Sequence, residues 1–391
     1  MLVHKIPLFF LFFLTSILTC DAFASAYKTK IGLNVEHTNN SGLLPKNQVH
    51  HDIKIEPSIG IDYTIASVNF HSNLNYSATR TDYEKNTFAD RSDVLGSGTF
   101  LWKIFDRNLV WNFYQNRSRL KVDSLLGDDP SNQTNRNILQ TGPRLTIGFG
   151  RNNTFAVDAS YVESSFSQGS TNNSQQERLG LEYQRIINAQ DKLKVTVLAA
   201  EAKFDDSIFD YQFQRYNVTL ESNPRNFQYS IAIGHNSIDR NMGASLSGPY
   251  LSFSVSANKS NSSWSFSGNR ELTDSSIGIA VSENLPDSRF NRDSNLTNAD
   301  IVERIRSDFI YRTWFANERV SFALNLYYDD QDYQTRMQDR KVYGLVTNFT
   351  YRSTRKLTFK YTFRGTEDKT FVTNMFANER STQVNHRLQG T

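Results

Sequence analysis

Apolar and polar residues alternate with a period of two along nearly the whole chain, in segments of about ten residues. From Val68 the apolar positions Val68, Phe70, Leu74 and Tyr76 interleave with Asn69, His71, Asn73 and Asn75. From Val320 the set Val320, Phe322, Leu324, Leu326 and Tyr328 stands against Ser321, Asn325 and Asp329. Ile53, Ile55, Ile59, Ile61 and Tyr63 alternate with Lys54, Glu56 and Asp62, and Leu357, Phe359, Tyr361 and Phe363 with Thr358, Lys360, Thr362 and Arg364. Successive side chains of a strand point to opposite faces, so each segment predicts a strand with one greasy and one wet face. One segment changes phase: Tyr211 and Phe213 are followed by Tyr216, Val218 and Leu220, which predicts a β-bulge.

About eighteen such segments (16–18) run from 30–38 to 380–389. Short turns rich in Asn, Asp, Gly and Pro separate every second pair, as at Asp106-Arg107-Asn108, Gly150-Arg151-Asn152-Asn153 and Ser222-Asn223-Pro224-Arg225. Longer polar loops fill the other gaps, for example Val122 to Arg136, Ser237 to Gly248, Leu272 to Val302 and Glu367 to Glu379. The alternation predicts an all-β antiparallel transmembrane outer-membrane β-barrel, with short periplasmic turns and long outer loops. A soluble sandwich would also show period-two strands, but nothing in a sandwich separates short from long connections so regularly. Tyr63, Phe105, Trp111, Phe149, Phe155, Phe227, Trp264, Phe315, Phe322 and Tyr351 cluster near the short turns, where an interfacial aromatic girdle belongs.

Composition sharpens this picture. The 391 residues are 38% hydrophobic and 13% aromatic, with a mean hydropathy of -0.53. That is too aromatic for a disordered polyelectrolyte, and no apolar run past the N-terminus is long enough for a membrane helix. A barrel with lipid on one side and water on the other needs no large dry core, which reconciles polarity with abundant Phe and Tyr. Lys plus Arg is 43 against Asp plus Glu 40, a net +3, so no nucleic-acid partner is expected.

Residues 1–26 read as a cleaved signal peptide: Lys5, an apolar run from Ile6 to Leu18, then Ala22-Phe23-Ala24-Ser25-Ala26 with cleavage after Ala24 or Ala26. Residues 27–391 are then a single barrel domain. Cys20, the one cysteine, leaves with the leader, so burial and hydrogen bonding hold the mature chain without disulfides. Leu18 and Thr19 are poor lipobox neighbours, which argues against acylation at Cys20.

No catalytic constellation emerges, and neither cofactor nor metal is called for: HExxH, a phosphate-cradling glycine loop and CxxC are all missing. His71 falls on a wet face, and His50-His51 lack a spaced third ligand. Asp329, Asp330 and Asp332 form an acidic patch at a strand-to-loop junction, with Asp205, Asp206 and Asp210 in another loop. These groups suit solvation or divalent bridging to lipopolysaccharide. The candidate functional surface is the lumen. Parity places Lys54, Arg144, Lys194, Arg306, Arg312, Lys360 and Arg364 inward, with Glu36, Glu56, Asp62, Asp158, Glu182 and Asp308. The two signs nearly balance, which predicts a weakly selective, hydrated path for neutral or mixed solutes. About eighteen strands leave an aqueous channel unless loops plug it, and the segment Leu272 to Val302 is the candidate constriction.

The stretch Thr141-Gly142-Pro143-Arg144-Leu145-Thr146-Ile147-Gly148-Phe149 resembles a known family, and so does Ile233 to Ser276, with its Asp-Arg loop, Ser-Gly-Pro strand start, Ser-rich second strand and Arg-Glu-Leu-Thr-Asp-Ser exit. That family is the porin-like outer-membrane β-barrels associated with exosortase/PEP-CTERM and exopolysaccharide biosynthesis systems. The resemblance implies an outer-membrane location and a role as conduit or accessory in exopolysaccharide export, with polysaccharide and secretion-system components as partners beside membrane lipid and lipopolysaccharide. It brings no catalytic residues. A general diffusion porin for small solutes and a non-conducting, surface-binding barrel are the alternatives.

Overall fold

The alternating segments form strands in the computed structural model, which describes residues 24–38, 52–105, 108–121, 133–167, 173–274, 300–315, 319–334, 338–353, 358–373 and 380–390. The first six strands are β1 (Ala24–Thr38), β2 (Asp52–Ala66), β3 (Phe70–Tyr83), β4 (Arg91–Phe105), β5 (Leu109–Lys121) and β6 (Gln133–Phe149). They are followed by β7 (Asn153–Phe166), β8 (Ser174–Ile186), β9 (Asp191–Phe204), β10 (Tyr211–Ser222), β11 (Phe227–Arg240) and β12 (Leu246–Asn258). The last six are β13 (Ser262–Asp274), β14 (Ile301–Phe315), β15 (Val320–Tyr333), β16 (Gln338–Arg352), β17 (Thr358–Thr373) and β18 (Arg380–Gly390). All belong to one eighteen-stranded sheet, and each strand pairs antiparallel with the next in sequence. Among the described residues no helix is long and apolar enough to cross a membrane.

The connections alternate as the pattern predicts. Those at one end, such as 67–69, 150–152 and 259–261, are three to five residues long, whereas those at the other reach 26 residues between β13 and β14. Two at the long end, 241–245 and 334–337, are short because the flanking strands extend further than their alternation suggests. Residues 1–23 of the expected leader, Cys20 among them, lie outside the described residues, as do His50 and His51, while Ala24 to Ala26 already belong to β1.

Ladder partners share a face, so the register sorts side chains into two surfaces. One carries Ile59, Ile61, Val195, Val197, Val218, Ile231, Ile233, Phe266, Leu326 and Phe349, all exposed, and it is the outer, lipid-facing surface. On β15 five outward residues from Val320 to Tyr328 are apolar before Asp330 ends the run. That span is about 27 Å along the strand, which a tilt of about 40° projects to roughly 20 Å of height, most of an outer-membrane apolar band about 25 Å tall. The ten predicted girdle residues lie on this face. A second aromatic level caps the band, where Tyr328 packs on Tyr343 at 5.1 Å between ring centroids.

The rows of paired residues climb around the wall. Phe155, two residues into β7, pairs through Tyr183, Val195, Val218, Ile233, Leu251, Arg270 and Ile305 to Asp330, ten residues into β15. This steady stagger is the shear of tilted barrel strands.

The expected bulge in β10 is not there: β10 keeps one unbroken register with both β9 and β11. Its apolar residues change face because Tyr211 and Phe213 point inward while Tyr216, Val218 and Leu220 point to lipid. The interior is apolar at that level, so the alternation carries on across a regular strand. A register shift does occur elsewhere, between Lys103 and Phe105 against β5.

Candidate functional site

The interior wall is lined by charges that pair with close neighbours. Lys30 on β1 meets Asp62 on β2 at 2.6 Å, and Asn75 on β3 donates to the same carboxylate. Lys54 lies 3.0 Å from Glu56, which also accepts from Thr81. Arg144 on β6 reaches Asp158 on β7 at 3.5 Å and Glu182 on β8 at 2.8 Å. Lys194 meets Glu221 at 2.5 Å, and Arg306 meets Asp308 at 2.9 Å. Arg312 stands opposite Ser263 and Ala323 on the same face. Lys360 and Arg364 pair in register with Thr350 and Val346. The structure therefore gathers these sequence candidates on one wall but divides them into local pairs.

Nearer the long loops the interior closes in. Residues Glu271 to Asp274 at the end of β13 are all buried, as are Asp300, Ile301, Val302 and Arg304 at the start of β14. A wall strand has one face toward lipid, so burial on both faces of the β13 end means that it has bent away from β12 toward the interior, while β14 keeps its ladder to β15 from Val302 on. The ladder records the departure. β12 pairs with β13 only from Leu251↔Arg270 to Asn258↔Ser263, while Leu246 to Tyr250 continue to pair with β11 alone among the described residues. Continuing the register would set Pro249 opposite Leu272, and proline has no N–H to give a ladder. The Leu272 carbonyl instead accepts from Asn236 Nδ2 of β11 at 2.7 Å.

Inward side chains of nearby strands hold these ends. Tyr211 donates its hydroxyl to Asp274 at 2.5 Å and accepts from Gln176. Arg215 lies 3.6 Å from Glu271 and 4.7 Å from the ring centre of Tyr250. Arg240 meets Asp300 at 3.4 Å. Arg304 binds Asp329 through two nitrogens at 2.8 and 2.6 Å, a two-pronged fit peculiar to guanidinium and carboxylate. Beside this polar set, Ala202, Phe204, Tyr211, Ile238, Leu272 and Ile301 pack together with Phe209, Phe213 and Leu246. The candidate constriction Leu272 to Val302 is thus buried at both described ends; its centre, 275–299, lies outside the described residues.

Sequence reasoning missed Arg215, Glu271, Arg304, Asp329 and Tyr211 as interior partners. Parity alone would have placed Arg215 inward had β10 been taken as regular. The acidic patch is divided by the wall: Asp329 turns inward to Arg304, whereas Asp330 and Asp332 face outward, with Asp330 on Lys341 at 2.9 Å. Asp206 and Asp210 accept from Ile208 and Phe204 of their own connection and strand end, and Asp205 accepts from Asn173 of the connection between β7 and β8. His71 sits on the inner face opposite Ala66 and Leu101.

A curled sheet that shows lipid an apolar band and encloses charge has the architecture of an outer-membrane-type transmembrane β-barrel. No protein-family model and no curated protein matches it. Solved structures similar to it include OccK2 (OpdF) of Pseudomonas aeruginosa in complex with glucuronate, at 12% identity over 95% of each chain and a TM-score of 0.45. Another is a BenF-like porin from Pseudomonas fluorescens Pf-5, at 10% identity over 95% of this chain and 99% of that one, with a TM-score of 0.46. The siderophore receptor PirA of Pseudomonas aeruginosa is similar at 12% identity over 95% of this chain and 72% of its own, with a TM-score of 0.47.

Proposed function

We propose that the barrel is a diffusion channel for small hydrated solutes, neutral or of mixed charge, and is not an enzyme. The observation that supports this reading is the inner wall itself, where Lys30–Asp62, Lys54–Glu56 and Lys194–Glu221 cancel locally and Arg144 with Asp158 and Glu182 leaves one negative charge. A solute entering such a path meets hydrogen-bonding groups of both signs and no sustained field of either. The buried ends of β13 and β14 narrow the path and set an upper size. Lys54, Glu56, Asp62, Arg144, Asp158, Glu182, Lys194, Arg306, Asp308, Arg312, Lys360 and Arg364 are the proposed lumen-lining set. The outward polar rim above Tyr328 and Tyr343 is the proposed surface for lipopolysaccharide.

Single-channel recording of the refolded protein in planar bilayers tests the reading. Discrete steps with weak ion selectivity, unaffected by added polysaccharide, are expected; a silent but inserted barrel overturns it. The alternative, a conduit or accessory in exopolysaccharide export with secretion-system partners, rests on the family resemblance, and current steps blocked by the glycan would favour it.

A further inference from the structure

The fork between β12 and β13 has features that a constriction alone does not require. It begins where the outward surface turns from apolar to charged. Below it β12 shows Val255, Phe253 and Leu251 to lipid, and at its base Arg270 pairs with Glu303 at 2.5 Å. The edge of β12 that no described residue pairs therefore meets the headgroup level, where water can satisfy backbone groups that hydrocarbon could not. On the inner side the fork is flanked by Ile238, Leu246, Leu272 and Ile301, apolar in an otherwise charged interior. A side chain added at Gly248, in that edge, would meet nothing within 4 Å. Among the described residues, what joins the wall here is side-chain packing, the Asn236 to Leu272 hydrogen bond and the side-chain contacts Tyr211–Asp274, Arg215–Glu271 and Arg240–Asp300, not a ladder.

We propose that this fork is a lateral seam, through which a small amphipathic solute with a polar head and a short alkyl tail leaves the interior for the outer leaflet. The inference rests on the channel reading, since the solute must first enter the barrel. The apolar cluster offers the tail a dry path from lumen to lipid, and the charged residues beside it (Arg215, Glu271, Arg240) keep the head hydrated until it reaches the rim.

The test compares blocking of the ion current by octyl glucoside and by glucose, on a Cys20→Ser background. Two changes seal the fork: Gly248→Phe, which fills open space, and the pair Pro249→Cys with Leu272→Cys bridged by a bis-maleimide, whose unbridged form controls for the lost leucine. Sealing is expected to lengthen octyl glucoside blocks at least about tenfold, because the side exit sets the off-rate, and to leave glucose blocks unchanged. Equal octyl glucoside blocks in sealed and open forms overturn the seam. A benzophenone attached to Gly248→Cys reads the fork without any current. Capture of bilayer acyl chains supports the seam even if recordings are silent, in which case only the channel reading falls, and no capture overturns the seam.

Discussion

Tyr211 on β10 donates its hydroxyl to Asp274 at the tip of β13, spanning three strands at 2.5 Å. Asp274 is 2% exposed, so the phenol replaces part of the hydration that a carboxylate loses on entering the barrel. This bond and its neighbours determine how far the inward ends stay inside.

Tyr211→Phe keeps the ring in its apolar cluster and deletes only the donor. Hydrogen bonds to charged groups contribute about 1.5–3 kcal/mol, and the expected loss of stability in a denaturant titration of the refolded barrel is of that size. The inward ends should loosen with it, giving larger or noisier current steps. A variant with wild-type stability and identical steps would show that this bond is not a latch.

The pair Arg304 and Asp329 is two-pronged, with side chains 3% and 15% exposed. Asp329→Ala leaves a guanidinium buried without its main partner, which costs about 3–5 kcal/mol. Replacing both residues by apolar ones of similar volume, Arg304→Met with Asp329→Leu, is expected to recover most of that loss. A double-mutant cycle by chemical denaturation checks the sign of the coupling.

Much of this wall was legible in the sequence, and the physical reason is the solvent. Lipid on one side requires an apolar residue at every second position of each strand, so Val320 to Tyr328 reads as a strand without any knowledge of its neighbours. The same parity identifies which face Arg144, Asp158 and Glu182 share. What parity leaves out is distance across the barrel. Nothing in the local period of Arg215 names Glu271 as its partner, and the inward turn of Tyr211 and Phe213 imitates a bulge because apolar residues are expected to face lipid. Pro249 was a usable signal: a proline inside a strand pattern marks an unpaired edge, and the fork lies there.

Arg144 is the hub of one inner-wall cluster, 2.8 Å from Glu182 and 3.5 Å from Asp158. Arg144→Gln leaves two carboxylates facing the path without their cation. Cation over anion permeability is expected to rise roughly two- to fivefold, read from the reversal potential in a salt gradient and shrinking as ionic strength rises. An unchanged reversal potential would place the ion path away from this cluster.

Gly344 on β16 stands opposite Tyr327 on β15, and a Cβ there would fall 1.8 Å from the tyrosine ring. Tyr327 thus lies flat over the glycine on the inner wall. Gly344→Val has to push the ring into the lumen, with an overpacking cost of about 1–3 kcal/mol and a smaller conductance. Adding Tyr327→Ala is expected to restore both, and a failure to do so would separate Gly344 from the ring.

Leu326 and Asn325 are neighbours on β15 that face opposite sides of the wall, Leu326 toward lipid at 42% exposure and Asn325 toward the interior. Arginine at a lipid-facing position in mid-band costs about 2–4 kcal/mol, whereas an arginine in the lumen keeps its water. Leu326→Arg is therefore expected to destabilise the barrel by that amount in a bilayer unfolding titration. Asn325→Arg should leave stability within about 1 kcal/mol and shift selectivity toward anions. The opposite ranking would mean that the two faces of the sheet have been assigned the wrong way round, since a single-residue slip exchanges every inward and outward side chain of a strand.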